Sequence, residues 1–136
     1  LLSSPTTTVH DDEWDTVVMH ELVHYISARQ TSEQKLRLSS QFLSRCSVPE
    51  NAARLWMIEE PLAVAIGQAA YSELVLGHPL DPASNWYSNP WIDITARTLA
   101  PTIITALRSE KDIDSSMVVY EAANRCRGLT KLVSML

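Results

Sequence analysis

Residues 20 to 24 read His20-Glu21-Leu22-Val23-His24. On an α-helix, positions i and i+4 lie on one face, so both imidazoles can reach one ion from a single turn. Glu21 is turned about 100° from His20, which lets it address a water on that ion without competing as a ligand. Zinc lowers the pKa of such a water, and a carboxylate base takes its proton as the water attacks a carbonyl. From average residue usage, these three fixed positions recur by accident in about one chain of this length in two hundred. The competing reading is an amphipathic helix with two chance histidines near its polar face. Against it, Val17, Leu22 and Ile26 are apolar where the helix is expected to pack, and no proline or extra charge interrupts the motif.

The stretch Val17-Val18-Met19-His20-Glu21-Leu22-Val23-His24-Tyr25-Ile26 resembles the active-site helix of the zincin metallopeptidases. The resemblance implies that His20 and His24 bind zinc and that Glu21 is general base and proton shuttle. A catalytic zinc takes three protein ligands and keeps a fourth position open. The metzincin pattern would put glycine at position 27 and histidine at position 30; Ser27 and Gln30 stand there and exclude it. Peptide deformylases use a cysteine upstream of the motif, and none precedes His20. His10 and His78, in expected loops, are weaker ligand candidates.

The gluzincins take their third ligand from a glutamate on a later helix. Met57-Ile58-Glu59-Glu60-Pro61-Leu62-Ala63 resembles that segment, and Glu60, followed by the small residues Ala63 and Gly67, is preferred. Glu59 is kept as the alternative, although it shares a face with Leu55, Leu62 and Ile66, which suggests packing. Asp81 and Asp93 are candidate partners for the free N–H groups of zinc-bound imidazoles. The resemblance also implies an oxyanion donor after the glutamate, and Tyr87 or His78 fits that description. Trp86 and Trp91 either line a cleft or pack beneath their loop.

These residues need helices to hold them, and helical signals dominate. The chain divides into an N-terminal extended segment, residues 1–10, and a helical domain over residues 11–136. The acidic Asp11, Asp12 and Glu13 suit a helix start. A second helix begins at Thr31, with Gln34 completing a capping box. A third takes Ser47 as its cap and Glu50 three residues on, with Pro61 kinking or splitting it before Gly77. Residues 77 to 90 read as a loop. A fourth helix begins near Pro90 with a break at Pro101, and a fifth covers roughly Asp114 to Arg127. The expected fold is mainly α and zincin-like, with little or no β-sheet. Larger zincins place a sheet before the active-site helix, so the resemblance implies a minimal or truncated version here.

The 136 residues are 46% hydrophobic and 20% charged, with a formal charge of −5. That is a globular composition, large enough for one core. No Lys/Arg cluster is present, so nucleic acid is not expected as a partner. The apolar run from Ala63 to Leu76 is too short and too polar to span a bilayer, and Leu1 to His10 has no signal-peptide pattern. Cys46 and Cys126 are either one disulfide or two thiols, which leaves the compartment open between cytoplasm and export. The expected activity is zinc-dependent hydrolysis of a peptide or protein substrate. The alternative is a catalytically inactive, zincin-like interaction module, against which the intact Glu21 weighs.

Overall fold

Small residues crowd one stretch of the chain, Ala63, Ala65, Gly67, Ala69 and Ala70, and small side chains let neighbouring helices approach closely. The computed structural model describes residues 6–46, 58–79, 81, 83–110 and 126. In it this stretch lies at the centre, with all five of these residues buried. The helices are α1 (Thr6–Ala28), α2 (Ser32–Leu43), α3 (Glu60–Val64), α4 (Tyr71–Leu74) and α5 (Pro90–Arg108). Between α3 and α4 the backbone winds as a π-helix, Ala65–Ala70, so residues 58 to 74 form one unbroken helical run. This central helix packs on α1 along one side and on α5 along another. The fold is mainly α, and no strand occurs among the described residues.

The core gathers Phe42 from α2, Ile58, Val64, Ala65, Ala69 and Ala70 from the central helix, and a stripe from α5. That stripe, Ile92, Ala96, Leu99, Ala100 and Ile103, follows helical spacing and is buried throughout. Each fully buried Ile or Leu contributes roughly 1.5–3 kcal/mol. This explains why α5 continues through Pro101, where a break was expected. Losing one backbone hydrogen bond costs about 3 kcal/mol, which the apolar stripe on both sides of Pro101 outweighs, and Pro101 itself faces solvent. Asn89 caps α5 by accepting from the backbone N–H groups of Trp91 and Ile92 at 2.9 and 3.3 Å.

The expected cap of α2 is present. Gln34 N–H donates to the Thr31 hydroxyl at 3.1 Å, and Thr31 N–H donates to the Gln34 side chain at 2.9 Å. Pro61 falls in the first turn of α3, where its missing N–H is tolerated. The helical run continues past it, with a change of winding from π at residues 58 and 59 to α at Glu60. Gly77 follows α4 with a φ of 69°, the left-handed conformation that glycine adopts at a helix end. Cys46 and Cys126 are disulfide-bonded across a separation of 80 residues. A loop that long implies about 4.5 kcal/mol of stabilisation from chain entropy.

Two expectations are corrected. α1 begins at Thr6, so residues 6–10 are helical and not extended. The β-branched Thr6 to Val9 disfavour helix by only tenths of a kcal/mol per residue, and extending a helix already formed avoids the nucleation cost. Val17, Leu22 and Ile26 do not pack inward; they are 43%, 42% and 57% exposed. The buried side of α1 carries His20 and Val23 instead, because the central helix meets α1 at the His20 backbone. The expected cap at Ser47 and all of the expected fifth helix except Cys126 lie outside the described residues. No helix among the described residues is long and apolar enough to cross a membrane.

The contact between α1 and the central helix is set by Gly67. A Cβ there would lie 2.8 Å from the His20 nitrogen and 2.9 Å from its Cα, both backbone atoms. Gly67→Ala is therefore expected to push the helices apart and to destabilise the fold by about 1–3 kcal/mol, read by chemical denaturation. Unchanged stability would mean that the two helices are not held at this distance.

Candidate metal centre

α1 presents His20 and His24 on one face, and α3 presents Glu60 as its first residue. The His20 and His24 Nε2 atoms stand 3.2 Å apart. Glu60 Oε1 lies 2.8 Å from His24 Nε2, and Glu60 Oε2 lies 3.6 Å from His20 Nε2. One donor atom from each of the three residues falls within a span of 4.8 Å, a group that can hold a metal ion.

The outer partners decide what these atoms are. His24 Nδ1 is 2.9 Å from Glu59 Oε1, and His20 Nδ1 is 3.4 Å from Gln68 Oε1. Carboxylate and amide oxygens are acceptors, so an Nδ1–H in each ring has an outer partner, which would free Nε2 to face an ion held by Glu60. With Nε2 unprotonated in both rings, two lone pairs and a carboxylate face one another, an arrangement that a cation or added protons would satisfy. Among the described residues Glu60 Oε2 is buried with no hydrogen-bond partner, as a carboxylate oxygen reserved for an ion would be. Tetrahedral coordination with metal–ligand distances near 2.0–2.1 Å puts donor atoms roughly 3.3 Å apart; the contacts here run from 2.8 to 3.6 Å when both Glu60 oxygens are used, and one donor per residue spans up to 4.8 Å. The donor set fits a divalent ion of intermediate softness.

Tyr87 borders this group. Its ring stacks on His20 with centroids 6.2 Å apart and planes inclined by 6°. Burial, then hydrogen bonding to Glu60, then the charges of Glu60 and Glu21 raise the phenol above its ordinary pKa of 10.0. The hydroxyl is thus a neutral donor through the physiological range. Glu21 is exposed and close enough for its charge to act on Tyr87.

The loop that carries Tyr87 is latched by Asp93, a buried residue of α5. Its Oδ1 accepts from the backbone N–H groups of Trp86 at 2.7 Å and Tyr87 at 3.1 Å. Its Oδ2 accepts from Arg97 Nε at 2.9 Å. Arg97 also donates to the Ser84 carbonyl and lies 4.6 Å over the Trp86 ring. Burial alone would raise the Asp93 pKa, but the Arg97 and backbone hydrogen bonds together with the Arg97 charge hold it below the usual range.

The structure thus brings together His20, His24, Glu60 and Tyr87, with Glu21 beside them. It does not bring His78 or Asp81, both exposed on the loop. Asp93 serves the loop backbone rather than an imidazole, because it sits at the start of α5, beneath residues 86 and 87. Glu59, read as packing, instead hydrogen-bonds His24. Gln68 was missed, although it is the one polar residue between Pro61 and Ala70 and lies at helical register with Glu60. Trp86 and Trp91 pack against the core, and the His10 side chain lies outside what is described. A cleft of about 500 Å³ lies elsewhere, between α1, α2 and the central helix, lined by Val23, Ile26, Leu38, Ile58 and Leu62 among others and by none of the three clustered residues. No known protein family, curated protein or solved structure matches the chain.

A carboxylate whose pKa is lowered by folding stabilises the folded state above its unfolded value, about 3.9, and that contribution is lost as pH falls through the folded value. Asp93→Asn is therefore expected to cost about 1.5–3 kcal/mol at pH 7, with the gap to wild type closing below about pH 4. Denaturation curves across pH check this, and a gap independent of pH would contradict it.

Proposed function

We propose that the domain is a zinc-dependent metallopeptidase that hydrolyses peptide bonds, with His20, His24 and Glu60 as metal ligands and Glu21 as general base. The observation that carries this reading is the convergence of three inward-facing acceptors beside an exposed carboxylate one position along the same helix. Two imidazoles and one carboxylate make a donor set that suits zinc, and three protein ligands leave a fourth position for reaction. When bound there, zinc supplies a water nucleophile at neutral pH and polarises the substrate carbonyl.

The chain's own residues do the remainder. Glu21 takes the proton from the attacking water and passes it to the departing amine nitrogen. Tyr87, kept protonated by its surroundings, is a hydrogen-bond donor for the oxygen that gains negative charge. Asp93 holds the loop so that the Tyr87 ring stays over His20. The resemblance of Val17 to Ile26 to the zincin helix supports the same reading.

One observation favours the second reading, an interaction module without turnover. Between Trp14 and Ile26, seven residues of α1 are exposed. Six of them are large and apolar: Trp14, Val17, Val18, Leu22, Tyr25 and Ile26. Contiguous exposed apolar area marks interaction surfaces.

Peptide-library cleavage separates the two readings. The peptidase reading expects hydrolysis by the zinc-loaded wild type. Glu21→Gln should lower it by about 10²–10⁴-fold while retaining one zinc per chain by elemental analysis. Equal hydrolysis by wild type and Glu21→Gln would refute the assigned mechanism. Zinc bound without any cleavage would leave the interaction module as the better account.

A further inference from the structure

A histidine that binds a metal through one nitrogen must have its other nitrogen fixed, or the ring rotates and the tautomer wanders. In His24 both nitrogens are engaged by consecutive residues: Glu59 Oε1 at 2.9 Å from Nδ1 and Glu60 Oε1 at 2.8 Å from Nε2. Consecutive side chains on an α-helix diverge by about 100° and do not ordinarily meet the same ring. Here residues 58 and 59 wind as a π turn directly before Glu60, and a wider turn reduces that divergence. Pro61 follows at once and has no N–H with which to extend an α-helical bond pattern back through that turn.

We infer that Glu59 is a positioning residue that fixes the His24 tautomer and ring for metal capture. The inference rests on the metal-site reading given above. Glu59 is not itself placed as a ligand, because its oxygen meets the Nδ1 edge of the ring, away from the point where the Nε2 atoms and Glu60 converge. Both partners are half-buried, with side chains 20% and 21% exposed, so the charge-assisted bond is shielded from competing water. A carboxylate on Nδ1–H also makes Nε2 the stronger donor to a cation. Among the described residues His20 has no such partner: its Nδ1 meets a neutral amide oxygen, at 3.4 Å. The two histidines are therefore unequal, with His24 the more firmly held.

The test is zinc affinity, measured by competition with a chromophoric chelator on the full chain, with circular dichroism confirming that each variant is folded. Glu59→Ala is expected to bind one zinc per chain about 10–100-fold more weakly than wild type. Glu59→Gln, which keeps an acceptor without the charge, should fall between them, and Gln68→Ala should lose less than Glu59→Ala. Glu60→Ala should lose stoichiometric binding. An unchanged affinity in Glu59→Ala would overturn the inference and leave the metal site standing. Loss of binding in Glu59→Ala as complete as in Glu60→Ala would also overturn it, making Glu59 a ligand. Failure of the wild type to bind zinc would overturn the metal-site reading, and the inference would then be judged from the metal-free protein. There the ¹⁵N shift of His24 Nδ1 is expected to report a nitrogen whose proton is held by Glu59 in wild type and to move in Glu59→Ala; identical shifts would overturn it.

Discussion

The close approach of the central helix to α1 at Gly67 is the constraint on which the candidate site depends. No side chain larger than hydrogen fits against the His20 backbone there. That distance lets Glu59 and Glu60 reach His24, and Gln68 reach His20, from the same helix. The π-wound stretch Ala65–Ala70 widens the helix where it meets α1, and π turns are recurrent at functional sites. On its other side the same helix rests on the apolar stripe of α5, so burial in the core holds the spacing of the three clustered residues.

The grouped atoms carry a cost that their surroundings do not remove. A buried carboxylate oxygen without a partner among the described residues, crowded against two imidazole nitrogens, is unfavourable in a partly desolvated site. A bound cation would relieve this crowding, so metal binding and folding stability would be linked through this site. Asp93 and Arg97 act at one remove. By satisfying the backbone of residues 86 and 87, they stack the Tyr87 ring on His20 and keep its hydroxyl beside Glu60.

Part of this was legible in the sequence because it is local. The spacing of His20, Glu21 and His24 places them on a helix regardless of the rest of the fold, and the Thr31–Gln34 box marked the start of α2. Glu60 was preferred through its resemblance to a ligand-bearing segment and the small residues after it, and it is the glutamate that meets both imidazoles. The outer partners were not read: Glu59 acts through a π-wound turn that periodicity does not reveal, and Gln68, a lone polar residue at helical register with Glu60, was a signal left unused. Periodicity also groups residues on a face without saying which face is buried, which is why Val17, Leu22 and Ile26 were placed on the wrong side of α1. Pro101 misled for a different reason: a local penalty was outweighed by burial on both sides of it.

The central claim is that one ion is held by His20, His24 and Glu60. X-ray absorption at the zinc edge, on protein loaded with one equivalent, tests it most directly. The account predicts two imidazole nitrogens and a carboxylate oxygen among four light-atom neighbours at about 2.0–2.2 Å. A spectrum with sulfur neighbours, a single imidazole or a fully hydrated ion would contradict it.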